Sequence, residues 1–149
     1  MNAPELALKI SRIFQASREQ VFRAWTDPEL LRKWWHMSAD ATTPIAEVDL
    51  RVGGRYRLAM KPTDSDDLYI VGGVYQVVDP PKRLVYTWAW EEPAGQPESI
   101  VTVEFLDRGQ TTEVVIEHGA FESAQRRDEH IGGWEGCLQQ LDSVFTSQT

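Results

Sequence analysis

The chain is poor in chemistry of the metal-binding and redox kinds. Of 149 residues one is cysteine, Cys137, and three are histidine, His36, His118 and His130. A single cysteine excludes an intramolecular disulfide and a Cys-rich zinc site. Positive charge is scarce as well: Lys and Arg number 15 against 23 Asp and Glu, a formal net charge of −8. Such a chain is ill suited to a phosphate backbone or an anionic membrane surface, so neither nucleic acid nor membrane is expected as a partner. No apolar run approaches the roughly 20 residues of a membrane span. The first ten residues lack the basic start and apolar core of a signal peptide, which gives a cytoplasmic expectation. No Gly-x-Ser-x-Gly elbow and no dinucleotide fingerprint occurs, and Gly53-Gly54 lacks the strand-to-helix setting of a phosphate loop.

What the chain has in excess is tryptophan: six, beside four Tyr and five Phe. Aromatic side chains carry large contact areas, so either the core is built from them or something flat binds among them. An apolar content of 42% and a charged content of 26% are ordinary for a folded chain. The length suits one domain, residues 1–149 with a core over about 8–146, that needs no metal or disulfide.

Leu8 to Gln15 alternates and predicts a strand. Ser17-Arg-Glu-Gln20 has the spacing of a capping box, and Asp27-Pro28 caps and starts a second helix that runs to about Trp35. Strands and turns fill Ile45 to His118. Tyr56, Leu58 and Met60 alternate with charged neighbours. Gly72-Gly73 inside a long β-rich run suggests a bulge or bend, and Leu84, Tyr86, Trp88 and Trp90 share one strand face. Residues 91–98 form a Pro/Gly turn. Val101, Val103 and Phe105 share a face, as do Val114, Ile116 and His118. Ser123 to about Ser147 predicts one helix roughly 37 Å long. Arg127, His130, Ile131, Trp134, Cys137, Leu138, Leu141 and Phe145 fall within about 60° of Trp134 on its wheel. The order β-α-α-β-β-β-β-β-β-α predicts an α+β fold, an antiparallel sheet covered by one long helix.

Several features carry two readings. His118 and His130 are either the polar end of an apolar pocket, with a possible acid–base role, or packed and hydrogen-bonded core groups. Tyr56, Tyr86, Trp88, Trp90 and Trp134 either stack on a planar ligand or fill the space under the sheet. Gly133 and Gly136 on the flank of the helical stripe favour close backbone approach to the sheet over a kink. Asp64, Asp66 and Asp67 miss the EF-hand spacing and read as a solvated turn; Glu91-Glu92 beside Pro93 reads likewise. Cys137 reads as a small apolar filler. No metal, cofactor or catalytic constellation is assigned.

A set of segments carries a resemblance to a known family. They are Arg12-Ile13-Phe14 with Ala16; Val21-Phe22-Arg23-Ala24-Trp25-Thr26-Asp27-Pro28-Glu29-Leu30; Trp34-Trp35; Gly53-Gly54-Arg55-Tyr56; Pro81-Lys82-Arg83-Leu84-Val85-Tyr86-Thr87-Trp88; Val101-Thr102-Val103-Glu104-Phe105; Thr112; and Gly133-Trp134 with Leu138 and Leu141. In this order the chain resembles the Hsp90 ATPase activator-like family of the START-like (SRPBCC, helix-grip) superfamily, which includes the birch-pollen allergen fold. The resemblance implies a strongly curved antiparallel sheet gripping the C-terminal helix, with two short helices plugging one end. It also implies a cavity that commonly holds an apolar or aromatic small molecule.

The expected function is therefore binding of a small apolar or aromatic molecule between sheet and helix. The expected lining is Tyr56, Leu58, Tyr86 and Trp88, then Val103, Phe105, Ile116 and His118, then His130, Trp134 and Leu138. A chaperone-directed interaction module is the alternative. The family's co-chaperones resemble the chain only over their C-terminal domain, so the isolated chain is expected to give no substantial stimulation of Hsp90 ATPase. A START-like enzyme using His118 or His130 is the third possibility. Oligomeric state is left open.

Overall fold

Ser17 and Asp27 set the two short helices. In the computed structural model, which describes residues 7–91, 98–119, 121 and 123–146, Ser17 Oγ accepts from the Gln20 amide at 3.2 Å. The Ser17 amide in turn donates to Gln20 Oε1 at 3.0 Å. This closed capping box starts α1 (Arg18–Thr26). Asp27 ends it and caps α2 (Pro28–Trp34), accepting from the Glu29 amide at 2.9 Å. The two helices bury Val21, Phe22, Trp25, Leu31 and Trp34.

The strands are β1 (Leu8–Phe14), β2 (Thr42–Val48), β3 (Arg55–Lys61), β4 (Tyr69–Asp79), β5 (Arg83–Trp90), β6 (Ser99–Asp107) and β7 (Thr112–Gly119). They form one antiparallel sheet in the order β1-β7-β6-β5-β4-β3-β2. The first strand lies beside the last, β7, which directly precedes the long helix α3 (Ala124–Thr146). Residues 92–97 of the expected Pro/Gly turn lie outside the described residues.

The sheet bends where β4 meets β5. A Cβ on Gly73 would stand 2.0 Å from the Thr87 carbonyl oxygen, so only glycine fits there. The ladder gives way to side chains at this point. Thr87 Oγ1 accepts from the Val74 amide at 2.8 Å, and the Tyr56 hydroxyl donates to the Thr87 carbonyl. One extra residue, Gln76, then shifts the register between the Tyr75–Tyr86 and Val77–Val85 pairs. The glycine pair thus makes the close approach, and the bulge follows three residues later.

Helix α3 crosses the concave face obliquely. At its middle Trp134 packs on Trp88 of β5 and His118 of β7. At its end Phe145 meets Phe14 of β1 with ring centroids 5.9 Å apart, and Arg12 pairs with Asp142 at 3.4 Å. Trp134, Cys137, Leu138 and Leu141 are its buried residues. The core is aromatic: Trp25 lies 4.7 Å from Trp34, 5.6 Å from Phe105 and 6.3 Å from Trp134, the last pair nearly parallel. Among the described residues no helix is long and apolar enough to cross a membrane.

Candidate functional site

Because α3 runs from β5 toward β1, it leaves the far ends of β3 and β4 uncovered. A cavity of about 590 Å³ opens there. Its sheet side is Met60, Tyr69, Ile70, Trp88 and Trp90, continued by Pro62, Asp67 and Leu68 of the β3–β4 turn. Its helix side is Arg126, Glu129, His130, Gly133, Trp134 and Cys137, and Trp35 and Met37 close it from the end of α2. Met37, Leu68 and Tyr69 are exposed, which puts large apolar side chains at the mouth. A second void of about 20 Å³, room for about one water, lies between Trp25, Tyr56, Tyr86 and Trp88.

The sequence-derived lining divides into three groups. Trp88, His130 and Trp134 stand on the cavity wall. Tyr56, Leu58 and Tyr86 surround the small void instead, together with Trp88. Val103, Phe105, Ile116, His118 and Leu138 are sealed in the core. The cavity face of the helix (126, 129, 130, 133, 134, 137) is turned about 70° from the stripe that packs on the sheet. It therefore carries charges and a glycine, and an apolar-stripe criterion passes over it. Trp90 belongs to the aromatic set whose sequence reading allows stacking on a planar ligand, and Met60 continues the Tyr56–Leu58 face by two residues, the signal that could have added it to the lining. The approach of residues 62–70 and of Trp35 and Met37 is a tertiary event with no local signature.

His118 is fully buried and uses both ring nitrogens. The Trp134 indole Nε1–H donates to Nδ1 at 3.1 Å. An indole can only donate, so Nδ1 is the bare nitrogen, and Nε2–H donates to Ser99 Oγ at 2.8 Å. Burial, reinforced by the nearby charge position of His130, pushes the His118 pKa down to about 3. The ring is a neutral tie between α3, β7 and β6, with no position left for a ligand or a transferred proton.

His130 is different. Its ring is half-buried, 4.6 Å from Phe121 and 6.4 Å from both Trp88 and Trp90 between centroids. Nδ1 lies 2.8 Å from the Arg126 carbonyl oxygen, which can only accept, so Nδ1 bears the proton. Nε2 has no partner among the described residues. Burial, the largest influence, lowers the pKa of His130 and favours the neutral ring. Trp88 adds a second open valence: its Nε1–H is buried with no acceptor among the described residues.

The remaining groups are structural. Cys137 is buried, and burial pushes its thiol up to about 12, far from thiolate chemistry. Thr43 donates to the Trp35 carbonyl at 2.7 Å and takes a hydrogen bond from His36 Nδ1 at 2.9 Å, which pins the segment carrying Trp35 and Met37. Gly136 faces that segment: a Cβ there would stand 2.7 Å from the Met37 carbonyl oxygen. The close approach expected of the helical glycines is thus to residue 37 and not to the sheet. Among the described residues no cluster of three metal-ligating side chains occurs.

A curved seven-stranded antiparallel sheet wrapped on one long C-terminal helix, with two short helices at one end, is the helix-grip fold. The chain belongs to the family described as activator of Hsp90 ATPase homolog 1-like protein, which matches residues 15–146. A structure from Chromobacterium violaceum is 27% identical, with a TM-score of 0.85 over 95% of this chain and 97% of that one. The AHSA1 protein from Silicibacter pomeroyi is 22% identical, with a TM-score of 0.84 over 96% of this chain and 99% of that one, and shares the fold. A Mycobacterium smegmatis protein at 21% identity and a TM-score of 0.83 does so over 99% of this chain and 95% of that one. No curated protein matches the chain.

Proposed function

We propose that the protein is a binding protein for a flat, mostly apolar small molecule, held in the cavity between α3 and the β3–β5 part of the sheet. One observation carries this reading: a space of about 590 Å³ is walled by Trp35, Trp88, Trp90 and Trp134 with Met37 and Met60. Ligand sites are concave, a few hundred Å³ in size and mostly apolar, with few polar groups. Methionine adapts its shape to an aromatic guest and makes favourable sulfur–ring contacts. Four side chains supply polarity, Asp67, Arg126, Glu129 and His130. Formally they sum to −1 with His130 neutral, which disfavours an anionic guest.

Titration with naphthalene, followed by tryptophan fluorescence, tests the reading. Saturable quenching is expected, reduced in Trp134→Phe and abolished in Gly133→Phe, whose ring would occupy the cavity. A fluorescence signal that stays flat across a panel of such aromatics contradicts it.

A further inference from the structure

We propose that the cavity selects neutral planar aromatics bearing a hydroxyl, of the phenol and naphthol type, whose O–H donates to Nε2 of His130. The inference rests on the binding reading above and specifies its ligand.

The first support is the forced tautomer. The Arg126 carbonyl fixes the proton of His130 on Nδ1 at 2.8 Å. In the neutral ring Nε2 is then a lone pair and can only accept. The His130 ring stands among aromatic rings on the cavity wall, where an unmet acceptor is costly once water is displaced by an apolar guest. A guest that brings a donor avoids that cost; an ether or a bare hydrocarbon of the same outline does not.

The second support is Trp88, on the same wall with its ring 6.4 Å from that of His130. Its buried indole N–H lacks an acceptor among the described residues. A hydroxyl that donates to His130 keeps two lone pairs for that indole, whose N–H is closed to solvent and meets a guest only if the Trp88 ring turns. A carboxylate answers only the indole. It would also face Asp67 and Glu129, and the one cation on the wall, Arg126, already lies 3.9 Å from Glu129.

The test compares naphthalene, 2-naphthol, 2-methoxynaphthalene and 2-naphthoate by calorimetry and tryptophan fluorescence at neutral pH. We expect 2-naphthol to bind about ten-fold more tightly than 2-methoxynaphthalene, the difference one hydrogen bond makes, with 2-naphthoate weakest. In His130→Phe the naphthol-to-ether ratio should fall to about one whatever the change in naphthalene affinity, since the ratio reads the ligand hydrogen bond and cancels effects shared by both guests. Should that variant not fold, the imidazole ¹⁵N signals of the wild type decide. Nε2 of His130 should resonate as an unprotonated nitrogen and move with 2-naphthol but not with the ether. Equal affinity for all four compounds, a preference that survives His130→Phe, or an Nε2 signal unmoved by 2-naphthol overturns the inference and leaves the binding reading standing. If naphthalene and all its derivatives fail to bind, both fall.

Discussion

The Trp134 indole donates to Nδ1 of a histidine, His118, that has no contact with solvent. The bond joins the middle of α3 to β7, and the chain continues through Ser99 to the Trp88 carbonyl at 3.4 Å on β5. Both partners sit beside the cavity, but only Trp134 lines it. The polar pair therefore orients an aromatic wall and leaves the cavity surface apolar.

Breaking that tie leaves buried polar groups without partners. His118→Leu and Trp134→Phe are each expected to destabilise the fold by roughly 1–3 kcal/mol. A double-mutant cycle should show coupling of about 1 kcal/mol, as groups in direct contact do. Denaturant titration of the two single variants and the double variant measures this. Strict additivity would mean that the bond contributes nothing to stability.

The buried ring also sets a pH dependence. His118 titrates near 3 when folded against an ordinary 6.5 when unfolded. Between those values the unfolded chain binds the extra proton, so its contribution is fully present above about 6.5 and is lost as pH falls toward 3. The slope is about 1.4 kcal/mol per pH unit inside that window. His36 and His130 are lowered too and act in the same direction. Comparison with His118→Gln, which keeps an acceptor and a donor without the titration, isolates the one ring. The stability advantage of the wild type over this variant should shrink from pH 6.5 to pH 4; a pH-independent difference would contradict the assignment.

Two glycines one turn apart in α3 should respond oppositely to the same change. A Cβ on Gly132 meets nothing within 4 Å, so Gly132→Ala should stabilise by up to about 1 kcal/mol through helix propensity and a less flexible unfolded chain. Gly136→Ala would press 2.7 Å against the Met37 carbonyl oxygen and should destabilise, by roughly 1–3 kcal/mol. Thermal melts of the two variants check it. Matching shifts in both would mean that α3 does not lie close against residue 37.

The elements were legible because their signals are local. Ser17-Gln20 and Asp27-Pro28 carry their caps in sequence, and alternation in 84–90 or 101–105 assigns a face without any tertiary knowledge. The site was legible only in part. Trp88 and Trp134 were visible as aromatics on buried faces, and His130 as the polar end of the helical stripe. His118 was visible by the same logic, yet the hydrogen-bond partners that neutralise it, Trp134 and Ser99, come from other elements and have no sequence spacing to betray them. The cavity itself arises from a crossing angle. The oblique path of α3 leaves β3 and β4 bare, and no periodicity in one segment encodes how far a helix fails to cover its sheet.

The central claim is that aromatic guests occupy the space bounded by Trp35, Trp88, Trp90 and Trp134. The six indole N–H signals of a ¹⁵N-labelled sample report on it directly, because Trp25 and Trp34 lie off that wall. On addition of 2-naphthol the account predicts saturable shifts of the Trp88, Trp90 and Trp134 signals, with that of Trp34, whose Nε1–H is held by the Ala24 carbonyl at 2.8 Å, left in place. Six unmoved signals, or shifts confined to Trp34, would contradict it.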